Sequence, residues 1–218
     1  MSDSKPVLSE DKKAKLKAKN KERKRVLNEI DYEQKKDFAA MDPPIIADFI
    51  THLVAKEHSE LSDIEIQDRA VPEQQIVSTS KFEGPRNLEN YANFFMDFQL
   101  SEKGKGKDLV LVLCMSAIRV CDIVRQLRTK EIGGALKLIK QNKFDYDKRC
   151  LRSPCHVAVS TPGRIEKLHE LRIFDYKRVS RIVVDSSMID VKQRTVWDIE
   201  GTVELVSELA KRAKIYLY

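Results

Sequence analysis

The stretch "HVAVSTPGRIEKLHEL", residues 156–171, combines the pattern of a short strand, a turn and a helix. In its first five residues, β-branched valines alternate with other side chains, which is typical of a short buried strand. Thr161 then stands at a helix N-cap position and Pro162 at the first helical position, and the apolar residues that follow have helical spacing. The stretch therefore predicts a strand that leads directly into a helix.

The turn between this strand and this helix is a candidate anion site. The first N–H groups of a helix have no partner within the helix, and the helix dipole makes that end positive. Gly163 would let another backbone come close, and Arg164 adds a guanidinium within reach of the same anion. We predict that Thr161, Gly163 and Arg164 hold a phosphate group. The alternative is an ordinary strand-to-helix turn with a solvated arginine.

The same succession of strand and helix recurs along the second half of the chain. The predicted strands are "DLVLVLC" (108–114), "HVAVS" (156–160), "RIVVD" (181–185) and "KIYLY" (214–218). The predicted helices between them are "AIRVCDIVRQLRT" (117–129), "RIEKLHEL" (164–171) and "DIEGTVELVSELAKRA" (198–213). Apolar strands that alternate with helices predict an α/β fold, with a single parallel sheet covered by helices on both faces. Such folds bind ligands at the C-terminal ends of their strands, where 160–164 and 185–187 fall.

The first half of the chain has a less regular pattern. "IIADFITHLVAKEH" (45–58) predicts a helix after a pair of prolines, and "LSDIEIQDRAVPEQQIVST" (61–79) predicts a loop with short extended pieces, among them a strand at Ile76-Val77. "LENYANFFMDFQL" (88–100) is helical and strongly aromatic. Its aromatic residues could stack bases, but their helical spacing favours a helix that faces the core.

The positive charge of the chain is concentrated near its start. The 218 residues carry a net charge of +6, whereas residues 11–25 alone contain nine Lys or Arg and two acids, which is +7, and residues 26–218 sum to zero. We predict that residues 1–40 form a basic extension, largely disordered or helical, before a domain at 41–218. Its cations would serve as a nuclear-localisation signal and bind RNA without sequence preference, or would simply keep the protein soluble. They are Lys12, Lys13, Lys15, Lys17, Lys19, Lys21, Arg23, Lys24 and Arg25.

Cysteine content and hydropathy argue against several other classes of protein. The four cysteines are too few and too scattered for a disulfide scaffold, and they fit a reducing compartment. Cys150, Cys155 and His156 suggest a zinc site, but no second cysteine pair has matching spacing, so idle thiols and no metal are expected. The sequence contains no apolar run long enough to cross a bilayer and no signal-peptide core, so no membrane association is expected.

The element "TPGRI" (161–165), followed by a helix and by an apolar strand that ends at Asp185, resembles the first RecA-like domain of DEAD-box RNA helicases. The distance of 22 positions from Gly163 to Asp185 fits that family. In those enzymes the T-P-G-R element contacts the RNA backbone, and the strand ends in the D-E-A-D element. The resemblance implies a RecA-like sheet of the P-loop NTPase type, with an RNA-backbone site at Thr161, Gly163 and Arg164.

The catalytic elements of the helicases are missing from the sequence. Asp185 is followed by Ser186 and Ser187 in place of the glutamate that would orient the attacking water. No G-x-x-x-x-G-K-[ST] element occurs, and "EKGKGKDLV" (102–110) precedes a strand instead of following one, which is typical of an exposed connector. We therefore expect a degenerate domain that is not an enzyme, needs no cofactor and binds no nucleotide.

A helicase-like half domain without its ATPase elements resembles the Cms-one family, small-subunit pre-ribosome proteins of the nucleolus. The resemblance covers residues 40–218 and rests on "SDIEIQDRAVPE" (62–73), "STPGRIEKL" (160–168), "RIVVDSS" (181–187) and "DVKQRTVWDI" (190–199). It implies a non-enzymatic factor that binds pre-ribosomal RNA and small-subunit assembly proteins in the nucleus and nucleolus. Two alternatives remain: a protein-interaction scaffold in which the T-P-G-R turn touches no RNA, which the neutral charge of residues 26–218 favours, and an active ATPase.

Overall fold

A five-stranded sheet, parallel throughout, lies at the centre of the computed structural model, which describes residues 34–100, 108–129, 134–153 and 155–218 together with positions 22, 32 and 132. In chain order the strands are β1 (Leu109–Leu113), β2 (Leu136–Leu138), β3 (Val157–Ser160), β4 (Val179–Val184) and β5 (Lys214–Leu217). They are arranged in the order β2-β3-β1-β4-β5. The predicted α/β class and the single parallel sheet are thus confirmed, and the architecture is consistent with a RecA-like fold.

Strand β1 occupies the middle of the sheet because every one of its side chains is apolar. Its five residues are all buried, and Val112 is in register with Val159 of β3 on one side and Val183 of β4 on the other. A strand that is buried on both faces needs apolar residues at consecutive positions, not at alternate ones. The sequence "LVLVL" meets that requirement.

Helices cover both faces of the sheet, as the alternating pattern predicts. In chain order they are α1 (Pro43–Glu57), α2 (Asp63–Arg69), α3 (Tyr91–Asp97), α4 (Ala117–Thr129), α5 (Phe144–Arg152), α6 (Pro162–Glu170) and α7 (Thr202–Ala210). Residues of α1, α6 and α7 form one hydrophobic cluster against the sheet, and residues of α3 and α4 form the other. Tyr91, Phe94 and Phe95 of α3 are fully buried, which confirms that this aromatic helix belongs to the core.

Four elements differ from the predictions. The segment predicted as a loop contains α2, which begins with a capping box: the Ser62 side chain accepts from the Glu65 N–H, and the Glu65 carboxylate accepts from the Ser62 N–H. The short edge strand β2 and the polar helix α5 were not predicted. The last predicted helix is divided at Gly201, whose φ of 78° ends the preceding turn, so that α7 begins at Thr202.

The residues before β1 pack onto the body of the protein. Ile76 forms an isolated parallel bridge with Ile215 of β5, which is what remains of the strand predicted at Ile76-Val77. Further upstream, the Phe38 ring packs 4.4 Å from the Phe49 ring, centroid to centroid, and the Thr79 hydroxyl donates to the Ala39 carbonyl at 2.6 Å. The packed body therefore already includes residues 38–40.

Several predictions concern residues outside the described part of the chain. These are the nine cations of the basic segment 11–25 and positions 102–107 of the connector predicted at 102–110. Among the helices that the structure does describe, none is both long enough and apolar enough to cross a membrane.

Candidate nucleic-acid interface

The C-terminal ends of β1, β2 and β3 open into a cleft of about 920 Å³. Its walls are the three segments that follow these strands, together with part of the connection that leads to α7. The lining residues are Met115, Ser116 and Ala117 after β1, Lys140 to Phe144 after β2, Thr161, Gly163, Arg164 and Lys167 after β3, and Ile199 and Glu200. The cleft lies where parallel α/β sheets commonly bind ligands, and it contains all three predicted phosphate-site residues.

Thr161 occupies the predicted N-cap position of α6 without forming the predicted cap. Its backbone is extended, with φ −92° and ψ 152°, and Pro162 is the first helical residue, as predicted. The Thr161 side chain, however, makes no capping hydrogen bond. The neighbouring Ser160 hydroxyl donates instead to the Leu138 carbonyl at 2.9 Å, and this hydrogen bond connects the ends of β2 and β3.

Gly163 faces open space at the start of α6. A Cβ atom added there would meet nothing within 4 Å. The φ angle of Gly163 is not positive. Neither the backbone conformation nor the packing of the fold therefore requires a glycine at this position. The opening leaves room for a ligand to approach the backbone of the helix N-terminus closely.

Arg164 is not the exposed charge that the sequence predicted. It is only 6% exposed, and its guanidinium donates from Nε and Nη2 to the Asp147 carboxylate of α5, with an Nη2–Oδ2 distance of 2.5 Å. Nη2 also donates to the Asn142 carbonyl at 2.9 Å. The expectation of a free arginine is wrong because a fully buried carboxylate, invisible as a partner in the sequence, neutralises it.

The Asp147 carboxylate organises the turn between β2 and α5. Besides Arg164, it accepts a hydrogen bond of 2.8 Å from the Asn142 side chain, which in turn donates to the Lys137 carbonyl at 2.8 Å. The Arg164 guanidinium also lies 4.4 Å from the centroid of the Phe144 ring. One buried ion pair therefore fixes two walls of the cleft relative to each other.

Exposed positive charge in the cleft comes from lysines. Lys140 and Lys143 follow β2 and are exposed. Lys167, in the last turn of α6, is 55% exposed and pairs at 2.8 Å with Glu170. Lys140, Lys143 and Phe144 were not among the predicted site residues, because no helix or strand was predicted for residues 130–155. The signal was nevertheless present, since "KQNKF" (140–144) interleaves cations with an aromatic residue.

The β4 end of the same sheet edge is closed by a second buried ion pair. Arg119 of α4 donates to the fully buried Asp185 carboxylate at 2.7 Å, and Ser187 bonds to both Arg119 and Asp185 at 2.9 and 2.6 Å. Burial alone would lower the pKa of Arg119, but the hydrogen bond and the charge of Asp185 raise it above its ordinary value. The carboxylate at the end of β4 is therefore already saturated by protein groups.

The loop after the Ile76 bridge is filled by Arg86. Its guanidinium donates to the Leu217 carbonyl at 3.0 Å and to the Thr79 carbonyl at 2.7 Å. It also lies 6.0 Å or less from the ring centroids of Phe82, Phe94 and Tyr218.

Within the described residues, no three His, Cys, Asp or Glu side chains converge on a position for a metal ion. The C-terminal edge of the sheet therefore has an open part, the cleft at the ends of β1, β2 and β3, and a closed part at the end of β4, where Arg119 pairs with Asp185.

Comparison with known proteins identifies the family. The sequence profile of CMS1, described as a U3-containing 90S pre-ribosomal complex subunit, matches residues 2–216. The chain belongs to the CMS1 family. The match confirms the family predicted from the sequence and supports a role in ribosome biogenesis.

Three CMS1 relatives show how far the similarity extends. Protein CMS1 of Chaetomium thermophilum is 31% identical over 187 residues, which are 81% of this chain and 74% of the relative. Protein CMS1 of Saccharomyces cerevisiae is 28% identical over 193 residues, 81% of this chain but 63% of the relative. Protein CMSS1 of Danio rerio is 35% identical over 94 residues, 42% of this chain and 32% of the relative. The chain thus matches less than two thirds of the length of the last two relatives.

Proposed function

We propose that the chain is a non-enzymatic assembly factor of the early small ribosomal subunit that binds pre-ribosomal RNA and assembly proteins. The family description, a 90S pre-ribosomal complex subunit, supports pre-ribosomal partners in general and implies a nuclear or nucleolar location. The observation that carries the RNA-binding part is the open cleft at the ends of β1, β2 and β3, lined by Lys140, Lys143 and Lys167.

In this proposal the cleft contacts the sugar-phosphate backbone. Exposed lysines supply positive charge without reading sequence, and the unobstructed turn at Gly163 lets a phosphate approach the positive end of α6. Arg164 acts through position: paired with Asp147, it holds the α6 and α5 walls of the cleft together. We thus retain the predicted phosphate site at Thr161, Gly163 and Arg164, but its exposed positive charges are the lysines and not the arginine.

We further propose that the domain is a degenerate relative of the helicase RecA domain and neither hydrolyses nor binds nucleotide. Support comes from the β4 end, where Asp185 is fully buried and bonded to Arg119, so that a metal ion could reach it only if that pair opened. The sequence also offers no carboxylate at Ser186 or Ser187 to orient a water molecule.

A protein-interaction scaffold remains the second candidate, and a separate groove favours it. Between α1 and the start of α7 a groove of about 430 Å³ is lined by residues that include Trp197, Glu57 and Glu204. Burial, followed by the hydrogen bond and charge of Glu204, raises the pKa of Glu57 to about 7. A partner that presents a cation would complement the acidic side chains of this groove, which shares Glu200 with the lining of the RNA cleft.

Replacing Gly163 by alanine is expected to weaken RNA binding about five- to tenfold, the value of roughly one hydrogen bond to a phosphate. The added methyl group meets nothing in the protein, so the melting temperature should stay the same or rise slightly, because alanine favours a helix. Fluorescence anisotropy with a labelled single-stranded RNA and a thermal melt measure the two effects. Parental RNA affinity in this variant would show that no ligand uses the opening.

Neutralising the nine cations of residues 11–25 with glutamine is expected to reduce nuclear accumulation and to flatten the salt dependence of RNA binding. Each phosphate contact to a single strand contributes about 0.7 to the slope of log K against log salt, so the slope should fall by up to about 6. A control that changes the lysines of this segment to arginine keeps the charge and should keep both properties. If neutralisation leaves location and slope unchanged, the segment is a solubilising tail.

A further inference from the structure

One exposed aromatic ring lies inside the lysine-lined cleft. Phe144, the first residue of α5, is 40% exposed and directly follows Lys143. In the aromatic helix α3, by contrast, the rings of Tyr91, Phe94 and Phe95 are fully buried. An aromatic side chain left accessible at a cationic surface is a feature of sites that bind single-stranded nucleic acid.

The Phe144 ring has a cation over one face and is partly exposed. The Arg164 guanidinium lies 4.4 Å from its centroid, and that guanidinium is itself fixed by Asp147 and by the Asn142 carbonyl. A cation on one side attracts the ring electrostatically and holds its orientation. Because Phe144 is 40% exposed and lines the cleft, the face opposite the guanidinium, its open face, is the one that we assign to a ligand.

The charges around this ring suit a nucleotide better than an apolar partner. Lys140 and Lys143 precede Phe144 in the segment after β2, and Gly163 and Lys167 of α6 line the same cleft, to which Glu200 adds one negative charge. A nucleotide that places its phosphate among these groups carries a flat base with a π face, the complement of an oriented phenyl ring. A base can stack on a side chain only when it is unpaired and lifted from its own stack.

We infer that the open face of Phe144 stacks an unpaired nucleobase, so that the cleft binds single-stranded RNA in preference to duplex RNA. This inference rests on the proposed function, since it names the form of RNA that the same cleft takes. It gives the buried Arg164–Asp147 pair a role in recognition, because that pair holds the ring in the orientation that a base requires.

The test uses the full chain and a single-stranded oligoribonucleotide that contains one 2-aminopurine. Changing Phe144 to leucine keeps an apolar side chain against Arg164 but removes the ring, and it is expected to weaken binding about 5- to 150-fold and to abolish the quenching of 2-aminopurine. The matched control is Tyr146→Leu, since Tyr146 is a 50% exposed aromatic residue of the same helix outside the cleft lining. This control should bind as the parent protein does. The Phe144→Trp variant keeps an aromatic ring at this position and should therefore retain both the affinity and the quenching of the parent.

Separate results overturn the stacking and the proposed function. Parental affinity and quenching in Phe144→Leu, or equal affinity of the parent for single-stranded and duplex RNA of the same length, would overturn the stacking while RNA binding stands. No salt-dependent binding of either RNA by the parent protein would overturn RNA binding itself. A thermal melt of each variant shows that an observed loss comes from the missing ring and not from unfolding.

Discussion

Replacing Arg164 by alanine is expected to lower the free energy of unfolding by about 3–5 kcal/mol, because it leaves the Asp147 carboxylate buried and without its charged partner. Asp147 is fully buried, and the Arg164 side chain is only 4% exposed. Water therefore cannot take the place of the guanidinium without opening the turn between β2 and α5. The predicted loss is far larger than the few tenths of a kcal/mol typical of a surface residue.

A thermal melt measures this loss directly. For a domain of this size the melting temperature should fall by about 6–20 °C. The control is Lys167→Ala on the same helix, where a 55% exposed cation is removed and a shift within about 0.5 kcal/mol is expected. An unchanged melting temperature for Arg164→Ala, together with weaker RNA binding, would mean that the arginine is free and holds the phosphate itself.

The second large effect is expected at the other end of the sheet edge. Replacing Arg119 by alanine leaves the fully buried Asp185 with Ser187 as its remaining bonded side chain, and it should also cost about 3–5 kcal/mol of stability. Arg125→Ala is the matched control, since Arg125 lies on the same helix but is 71% exposed and pairs with Asp122. A melting temperature equal to that of the control would contradict a closed β4 end.

The same ion pair underlies the proposal that no nucleotide binds. Calorimetric titration of magnesium ATP into the parent protein is therefore expected to give no binding heat at micromolar concentrations. Stoichiometric binding would show that Asp185 can exchange Arg119 for a metal ion, and the proposal of a non-enzymatic domain would fall.

Local patterns in the sequence were sufficient to predict four of the five strands of the sheet. The run "LVLVL" at 109–113 can only be buried on both faces, and Pro162 after "HVAVS" places the start of α6 correctly. The capping box at Ser62 and Glu65 was equally local, and attention to their spacing would have predicted α2. Failures of this kind come from an overlooked signal.

The state of the site residues could not be predicted in the same way. Whether Arg164 is a free charge depends on Asp147, which lies 17 positions away in the sequence. Asp147 belongs to α5, and the polar sequence "FDYDKRCLR" of that helix has no pattern that predicts it. The same holds for Arg119 and Asp185, which are 66 positions apart. A charge pair between two elements depends on how those elements pack against each other. The spacing of residues within either segment does not predict that packing.

The most direct test of the account is RNA binding by the full chain after Lys140, Lys143 and Lys167 are changed together to alanine. The control changes three exposed lysines away from the cleft, Lys56, Lys177 and Lys211, and has the same net charge. Fluorescence anisotropy across a salt series should show weaker binding and a slope of log K against log salt lower by about 2 for the cleft variant alone. Equal affinities and equal slopes for the two variants would contradict an RNA site in the cleft.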